Sequence, residues 1–143
     1  MPHKDFDSST LDTYSLSKLK LLYVDDEQEV LDSVKDLLED QVESFFTATN
    51  GVEALEVINL HDVDIVLSDI YMPEMDGIKL SEIVKEEYPE SKVILLSAFF
   101  NPSAMRKAIK IGVDDFIFKP FTSSINVLQP LYDAARDISY SRA

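Results

Sequence analysis

The chain has 143 residues, 13 Lys or Arg against 27 Asp or Glu, and a formal net charge of −14. That length suits one domain with a real hydrophobic core, and 45% hydrophobic with 28% charged residues is a globular balance. The acidity argues against sequence-independent nucleic-acid binding and against an anionic membrane surface. The absence of cysteine excludes disulfides, thiolate zinc sites, iron–sulfur clusters and cysteine nucleophiles. No apolar run exceeds four residues (Leu21–Val24 and Val93–Leu96), far short of a spanning helix or a signal-peptide core. The expectation is a soluble, cytoplasmic protein with neither a membrane nor a direct nucleic-acid partner.

Residues 1–18 mix Ser, Thr and Asp with scattered apolar side chains and read as a flexible leader, with one helical turn around Leu11–Tyr14. From Leu19 short apolar runs recur: LKLLYV (19–24), the weaker ESFFTA (43–48), DIVLS (64–68), KVILLS (92–97) and DFIFK (115–119). Near-continuous runs of this length suit strands buried on both faces of a parallel sheet.

Helical patterns lie between them. Glu29–Asp40 sets Val30, Leu31, Val34, Leu37 and Leu38 on one face. Asn50 can cap a helix carrying Ala54, Leu55 and Ile58. Gly77–Glu87 aligns Ile78, Leu80, Ile83 and Val84, and Pro89 stops it. Pro102 can open a fourth helix with Ala104, Met105, Ala108 and Ile109 inward and Gly112 at its end. A last helix is expected from near Ser123 towards Ile138, kinked or delayed by Pro130. Five β–α units with right-handed crossovers make a three-layer α/β sandwich over 19–139, with 140–143 as a tail.

In such sheets ligands bind beyond the carboxyl ends of the strands. Asp25 and Asp26 follow the first run, Asp69 the third, Ser97 closes the fourth and Lys119 the fifth. Acidic pairs occur by chance in so acidic a chain, and Glu86-Glu87 and Asp114-Asp115 read as solvated. Four strand ends carrying one complementary set are harder to assign to chance. Two carboxylates about 4 Å apart repel by roughly 4 kcal/mol at an effective dielectric of about 20, which a divalent cation relieves. An all-oxygen set favours Mg²⁺ or Mn²⁺ over zinc. Lys119 and Ser97 then remain for phosphoryl oxygens, and an in-line carboxylate could become an aspartyl phosphate.

YVDDE (23–27), SDIYMPEMDG (68–77), LSA (96–98) and FIFKPF (116–121) resemble the motifs of the receiver domain of two-component response regulators, in that family's order and across about Leu19 to Ile138. The resemblance implies a flavodoxin-like, doubly wound (βα)5 fold with a five-stranded parallel sheet of order 2-1-3-4-5. It implies that Asp69 is the phosphoacceptor, served by a sensor histidine kinase or histidine phosphotransfer protein. Asp25, Asp26, Asp69 and the Tyr71 backbone carbonyl would bind Mg²⁺, and Lys119 and Ser97 would hold the phosphoryl group. It also implies a cis Lys119–Pro120 bond, Ser97 and Phe116 as switch residues, and Pro73 and Gly77 as shapers of the loop into the third helix.

Phe116 stands where the family often has Tyr, and so lacks a hydroxyl. Tyr71 and Phe99 would flank the path of attacking water and prolong the phosphoryl state, unless Phe99 and Phe100 form a binding patch instead. Arg106, Lys107 and Lys110 make the fourth helix a basic spot, either solvated or part of an output or homodimer face with the fifth helix. His3 and His61 receive no role.

Such a protein modifies itself and is not a turnover enzyme. The alternative is a phosphorylation-independent binding module on the same scaffold. An acid phosphohydrolase would want an acid where Tyr71 stands, and a nucleotide-binding domain would want a Gly-rich loop, against 3 glycines in all. About twenty residues follow Phe121, so an effector domain is expected elsewhere: a downstream protein, or a longer chain.

Overall fold

The computed structural model describes residues 15–99, 101–119 and 125–142. The expected turn at Leu11–Tyr14, Phe100, the Lys119–Pro120 bond and a helix start at Ser123 lie outside them. Five strands, β1 (Lys20–Val24), β2 (Ser44–Ala48), β3 (Ile65–Asp69), β4 (Lys92–Ser97) and β5 (Asp115–Phe118), alternate with five helices. These are α1 (Gln28–Leu38), α2 (Gly51–Leu60), α3 (Gly77–Glu87), α4 (Pro102–Ile111) and α5 (Ile125–Arg142), with a 3-10 turn at Glu39–Gln41. All pairings are parallel, in the order β2-β1-β3-β4-β5, as expected.

The period-2 alternation of each strand divides the core in two. Leu21 and Tyr23, Ile65 and Leu67, and Ile94 and Leu96 pack with Leu31, Val34 and Leu38 of α1 and Leu131, Ala134 and Ile138 of α5. Leu22 and Val24, Val66, and Val93 and Leu95 pack on the other face with α2, α3 and α4. The central strands β1, β3 and β4 are therefore buried on both sides, which is why they read as unbroken apolar runs. Edge strand β2 leaves Phe45 and Phe46 only half-buried, which explains its weaker signal.

Local chemistry sets the helix ends. Asn50 accepts the Glu53 N–H at 2.9 Å, and the Glu53 carboxylate reaches back to the Thr49 N–H and hydroxyl at 2.8 and 2.7 Å. Those Thr49 donors hold the Glu53 carboxyl below its ordinary range. Asp76 caps α3, and Asn101 caps α4 ahead of Pro102. Gly112 ends α4 at φ 101°, a left-handed conformation that costs glycine little.

Several expectations need correction. Leu16, assigned to the leader, is 3% exposed and belongs to the core beside α1 and α5. Ile109 is 65% exposed: Ala104, Ala108 and Ile111 share the inward side of α4, and one residue past Ala108 turns about 100° away from it. Helix α5 runs through Pro130 to Arg142, taking in residues 140–142. Pro130 is its sixth residue, so the lost i→i−4 bond falls near the helix start, and Leu131, Ala134, Ala135 and Ile138 beyond it anchor the helix in the core. Asp114 is not merely solvated. Its Oδ2 accepts from Lys85 Nζ at 2.6 Å and the Val93 N–H at 2.8 Å, and Lys92 Nζ lies 3.8 Å from Oδ1. It ties α3 and β4 to the start of β5. Among the described residues no helix is long and apolar enough to cross a membrane.

Candidate functional site

Parallel pairing brings the strand ends together. Val24 lies opposite Ser68, so Asp25 and Asp69 emerge side by side from β1 and β3. Ser97 lies opposite Phe118, and the Lys119 N–H donates to the Ser97 carbonyl at 2.9 Å, which holds Lys119 at the same edge.

Asp25 is fully buried. Its Oδ2 accepts from Lys119 Nζ at 2.8 Å and from the Tyr23 hydroxyl at 2.9 Å, and its Oδ1 from the Glu27 N–H at 3.0 Å. Lys119 Nζ also reaches Asp69 Oδ2 at 3.2 Å. One ammonium thus spans two carboxylates whose mutual repulsion would otherwise oppose the fold. Burial alone would lower the Lys119 ammonium. The bond to Asp25 and the charges of both aspartates outweigh that and hold it above its ordinary value. Burial pushes the Asp69 carboxyl up against the opposing pull of Lys119, with Asp25 adding to the rise. Burial, then the Asp25 charge, raises the Tyr23 hydroxyl far above its ordinary range, so it remains a donor.

Asp26 is exposed at the rim, and one oxygen each from Asp25, Asp26 and Asp69 lie within 4.8 Å of one another. This all-oxygen set fits a small hard cation such as Mg²⁺ or Mn²⁺, and its open side admits the waters that Mg²⁺ keeps. Asp26, Glu27, Asp69, Tyr71, Ala98, Phe99 and Lys119 line one open cavity of about 260 Å³. The structure brings Asp25, Asp26, Asp69 and Lys119 together at one edge, and Tyr71 and Phe99 line the same cavity. Ser97 is at the edge too. Its hydroxyl, however, is engaged with Phe99, donating to the carbonyl at 2.8 Å and accepting from the N–H at 3.1 Å. Phe116 is half-buried and packs with the α2–α4 side of the core.

The loop from Asp69 into α3 is tightly built. The Gly77 N–H donates to the Ile70 carbonyl at 2.7 Å, and Glu74 adopts φ 68°. Two contributors escaped the sequence reading. Asn101 donates from Nδ2 to the Tyr71 hydroxyl at 2.8 Å while capping α4, so it tethers the loop after β3 to the loop after β4. Its signal was Asn before Pro at a helix start. Tyr23 was the other: a tyrosine two residues before Asp25 in a buried strand shares its face.

The family model for the response regulator receiver domain matches residues 21–128. The chain is 40% identical over 119 residues to chemotaxis protein CheY of Listeria monocytogenes, which covers 82% of this chain and 99% of that protein. It is 36% identical over 102 residues to chemotaxis protein CheY of Halobacterium salinarum, covering 71% of this chain and 85% of that one. The crystal structure of a CheY-like response regulator receiver domain protein from Methanospirillum hungatei superposes with a TM-score of 0.82 at 26% identity, over 87% of this chain and 99% of the other.

Proposed function

The chain belongs to the response regulator receiver domain family, and on that premise we propose that Asp69 accepts a phosphoryl group from a phosphohistidine on a sensor kinase or phosphotransfer protein in the cytoplasm. The observation that carries this is Lys119 Nζ bridging Asp25 and Asp69 beside an open cavity. In the transfer an Asp69 carboxylate oxygen forms a P–O bond as the donor P–N bond breaks, and the imidazole leaves with the electron pair. Lys119 moves from Asp69 to the incoming phosphoryl oxygens. When bound at Asp25, Asp26 and Asp69, with the Tyr71 carbonyl as a further ligand, Mg²⁺ supplies positive charge to those oxygens. Ser97 exchanges its Phe99 partner for a phosphoryl oxygen, and the surface around Phe116, α4, β5 and α5 repacks for a downstream protein, an effector domain or a second copy. The protein modifies itself and does not turn over substrate.

The test is intact mass after incubation with acetyl phosphate and Mg²⁺. One added phosphoryl group is expected on the wild-type chain and none on Asp69→Asn or in the presence of a chelator. Addition to Asp69→Asn would remove Asp69 from this role. If neither acetyl phosphate nor a phosphohistidine donor modifies the wild type, the phosphorylation-independent binding module becomes the better reading.

Tyr71 and Phe99 line the cavity through which water must reach the phosphoryl group, and Asn101 holds the Tyr71 ring in place. Cutting both to Ala is expected to shorten the aspartyl-phosphate lifetime on the order of tenfold, since in-line geometry governs such attack. Following phosphoprotein decay after donor removal measures this, and equal half-lives would refute the shielding role.

A further inference from the structure

We propose that Tyr23 is a positioning residue of the acidic site, whose buried hydroxyl fixes the rotation of the Asp25 carboxylate so that its one free lone pair faces the cation. The inference rests on the reading that this site binds a divalent cation. Tyr23 is fully buried near the C-terminal end of β1, and among the described residues the other largest fully buried side chains are all leucines and isoleucines. A phenylalanine would fill that layer without a polar atom to satisfy, because a buried hydroxyl is costly unless it is hydrogen-bonded. Here the hydroxyl is directed to Asp25 Oδ2 at 2.9 Å.

The lone-pair count gives this bond its consequence. A carboxylate offers about four acceptor positions on two oxygens. Tyr23 and Lys119 occupy Oδ2, and the Glu27 N–H occupies one position on Oδ1. Among the described residues one position on Oδ1 has no donor, so Asp25 can give a cation, or a water bound to it, a single contact in one direction. The role of Lys119 in phosphoryl binding sharpens the point. As the ammonium turns from Asp69 towards the phosphoryl oxygens its hold on Asp25 Oδ2 loosens as well, and Tyr23 is the donor that stays there and keeps the carboxylate from rotating after the departing charge. Outer partners of this kind, which orient a ligating group without touching the metal, commonly alter metal affinity by about 10- to 100-fold.

The experiment is calorimetric titration of the full chain with MgCl₂, comparing wild type with Tyr23→Phe, alongside thermal melts of both. The expected result is a Kd about tenfold weaker in the variant. A purely structural hydroxyl would lower the melting temperature and leave the Mg²⁺ Kd unchanged, and that result would overturn the proposal. Absence of Mg²⁺ binding by the wild type would be a different failure, sinking the cation reading itself and this inference with it.

If Tyr23→Phe does not fold, the wild-type chain decides instead. It has 6 tyrosines, so the readout is the Tyr23 Cζ resonance of ¹³C-tyrosine-labelled protein, assigned through its backbone connectivity. A Tyr23 resonance that shifts with Mg²⁺ and saturates at the calorimetric Kd supports the role. A Tyr23 resonance indifferent to Mg²⁺ overturns it.

Discussion

Lys119→Met is expected to destabilise the cation-free protein by roughly 3 kcal/mol at neutral pH, the low end for removing one partner of a buried ion pair because the site's rim is open to water. The substitution keeps the apolar stem and removes the charge that bridges Asp25 at 2.8 Å and Asp69 at 3.2 Å. Asp25, fully buried, is left with the Tyr23 hydroxyl and the Glu27 N–H. The pH dependence follows from the direction of the shifts. Asp69 has a folded-state pKa raised by burial, so its contribution is favourable below its unfolded value and is lost as pH rises through the folded one. Without Lys119 that loss grows, so the variant's deficit is small in acid and full at neutral pH. Lys119 itself has a raised folded-state value, so its stabilisation is fully present below the unfolded lysine value of about 10.4 and fades as pH rises through the folded value. The deficit therefore shrinks again in strong alkali.

Mg²⁺ should narrow the gap at neutral pH, because a cation held by the aspartates replaces the missing charge and stabilises by mass action. Urea melts at several pH values, with a chelator or with Mg²⁺, measure all of this. Equal midpoints for variant and wild type in chelator would show that the ammonium bridge does not hold the site together.

Gly77→Ala is the second large effect, expected to cost about 2–3 kcal/mol and to slow phosphorylation by acetyl phosphate at least tenfold. Gly77 opens helix α3, where Ala would ordinarily be better by about 1 kcal/mol. The close approach reverses that preference. A Cβ at Gly77 would fall inside van der Waals contact of the Asp69 carbonyl oxygen and 2.9 Å from Ile70 Cα, both backbone atoms. The loop has little freedom to yield, since the Gly77 N–H bonds the Ile70 carbonyl and Asp76 caps the helix at Lys79. Any shift therefore moves the backbone that aims Asp69. Gly51 offers a milder case: the atoms nearest a Cβ there are Met75 Cβ, Cγ and Sδ at 2.8 Å, side-chain rather than backbone atoms, so Met75 must shift but the backbone that aims Asp69 is not struck directly. Thermal melts and phosphorylation rates for both alanine variants test the pair. A Gly77→Ala protein as stable and as fast as wild type would refute the close-approach account.

The order of the units, the parallel sheet and the convergence of Asp25, Asp26, Asp69 and Lys119 were legible because they derive from one regularity. A parallel βαβ sheet sends every strand's C-terminal end to the same edge, so the residue after each apolar run is placed before any side chain is packed. The cap at Asn50 was readable for a related reason, since its chemistry acts within three residues along the chain; the caps at Asp76 and Asn101 act over the same span and were missed.

Other features depended on the groups that lie across the sheet. Asp114 resembled its solvated neighbours in sequence, but Lys85 and Lys92, distant in the chain, meet it in space. Ile109 satisfied a helical pattern, yet the rotation of α4 against α3 and the sheet left it in water. Leu16 became core only because the turn before β1 meets α1 and α5.

The sequence by itself determined the class of the fold, the edge at which chemistry occurs and the residue types present there, since these depend on periodicity and on the residue that succeeds each strand. Tertiary structure alone decided which oxygen of Asp25 meets Tyr23 and Lys119, that Ser97 engages Phe99, that Asn101 tethers Tyr71, and that Gly77 must lack a side chain. The Lys119, Asn101 and Gly77 contacts join groups on different elements, set by the angle and depth at which the elements pack; the Tyr23–Asp25 and Ser97–Phe99 bonds join residues two apart and are set by how the chain turns as it leaves β1 and β4.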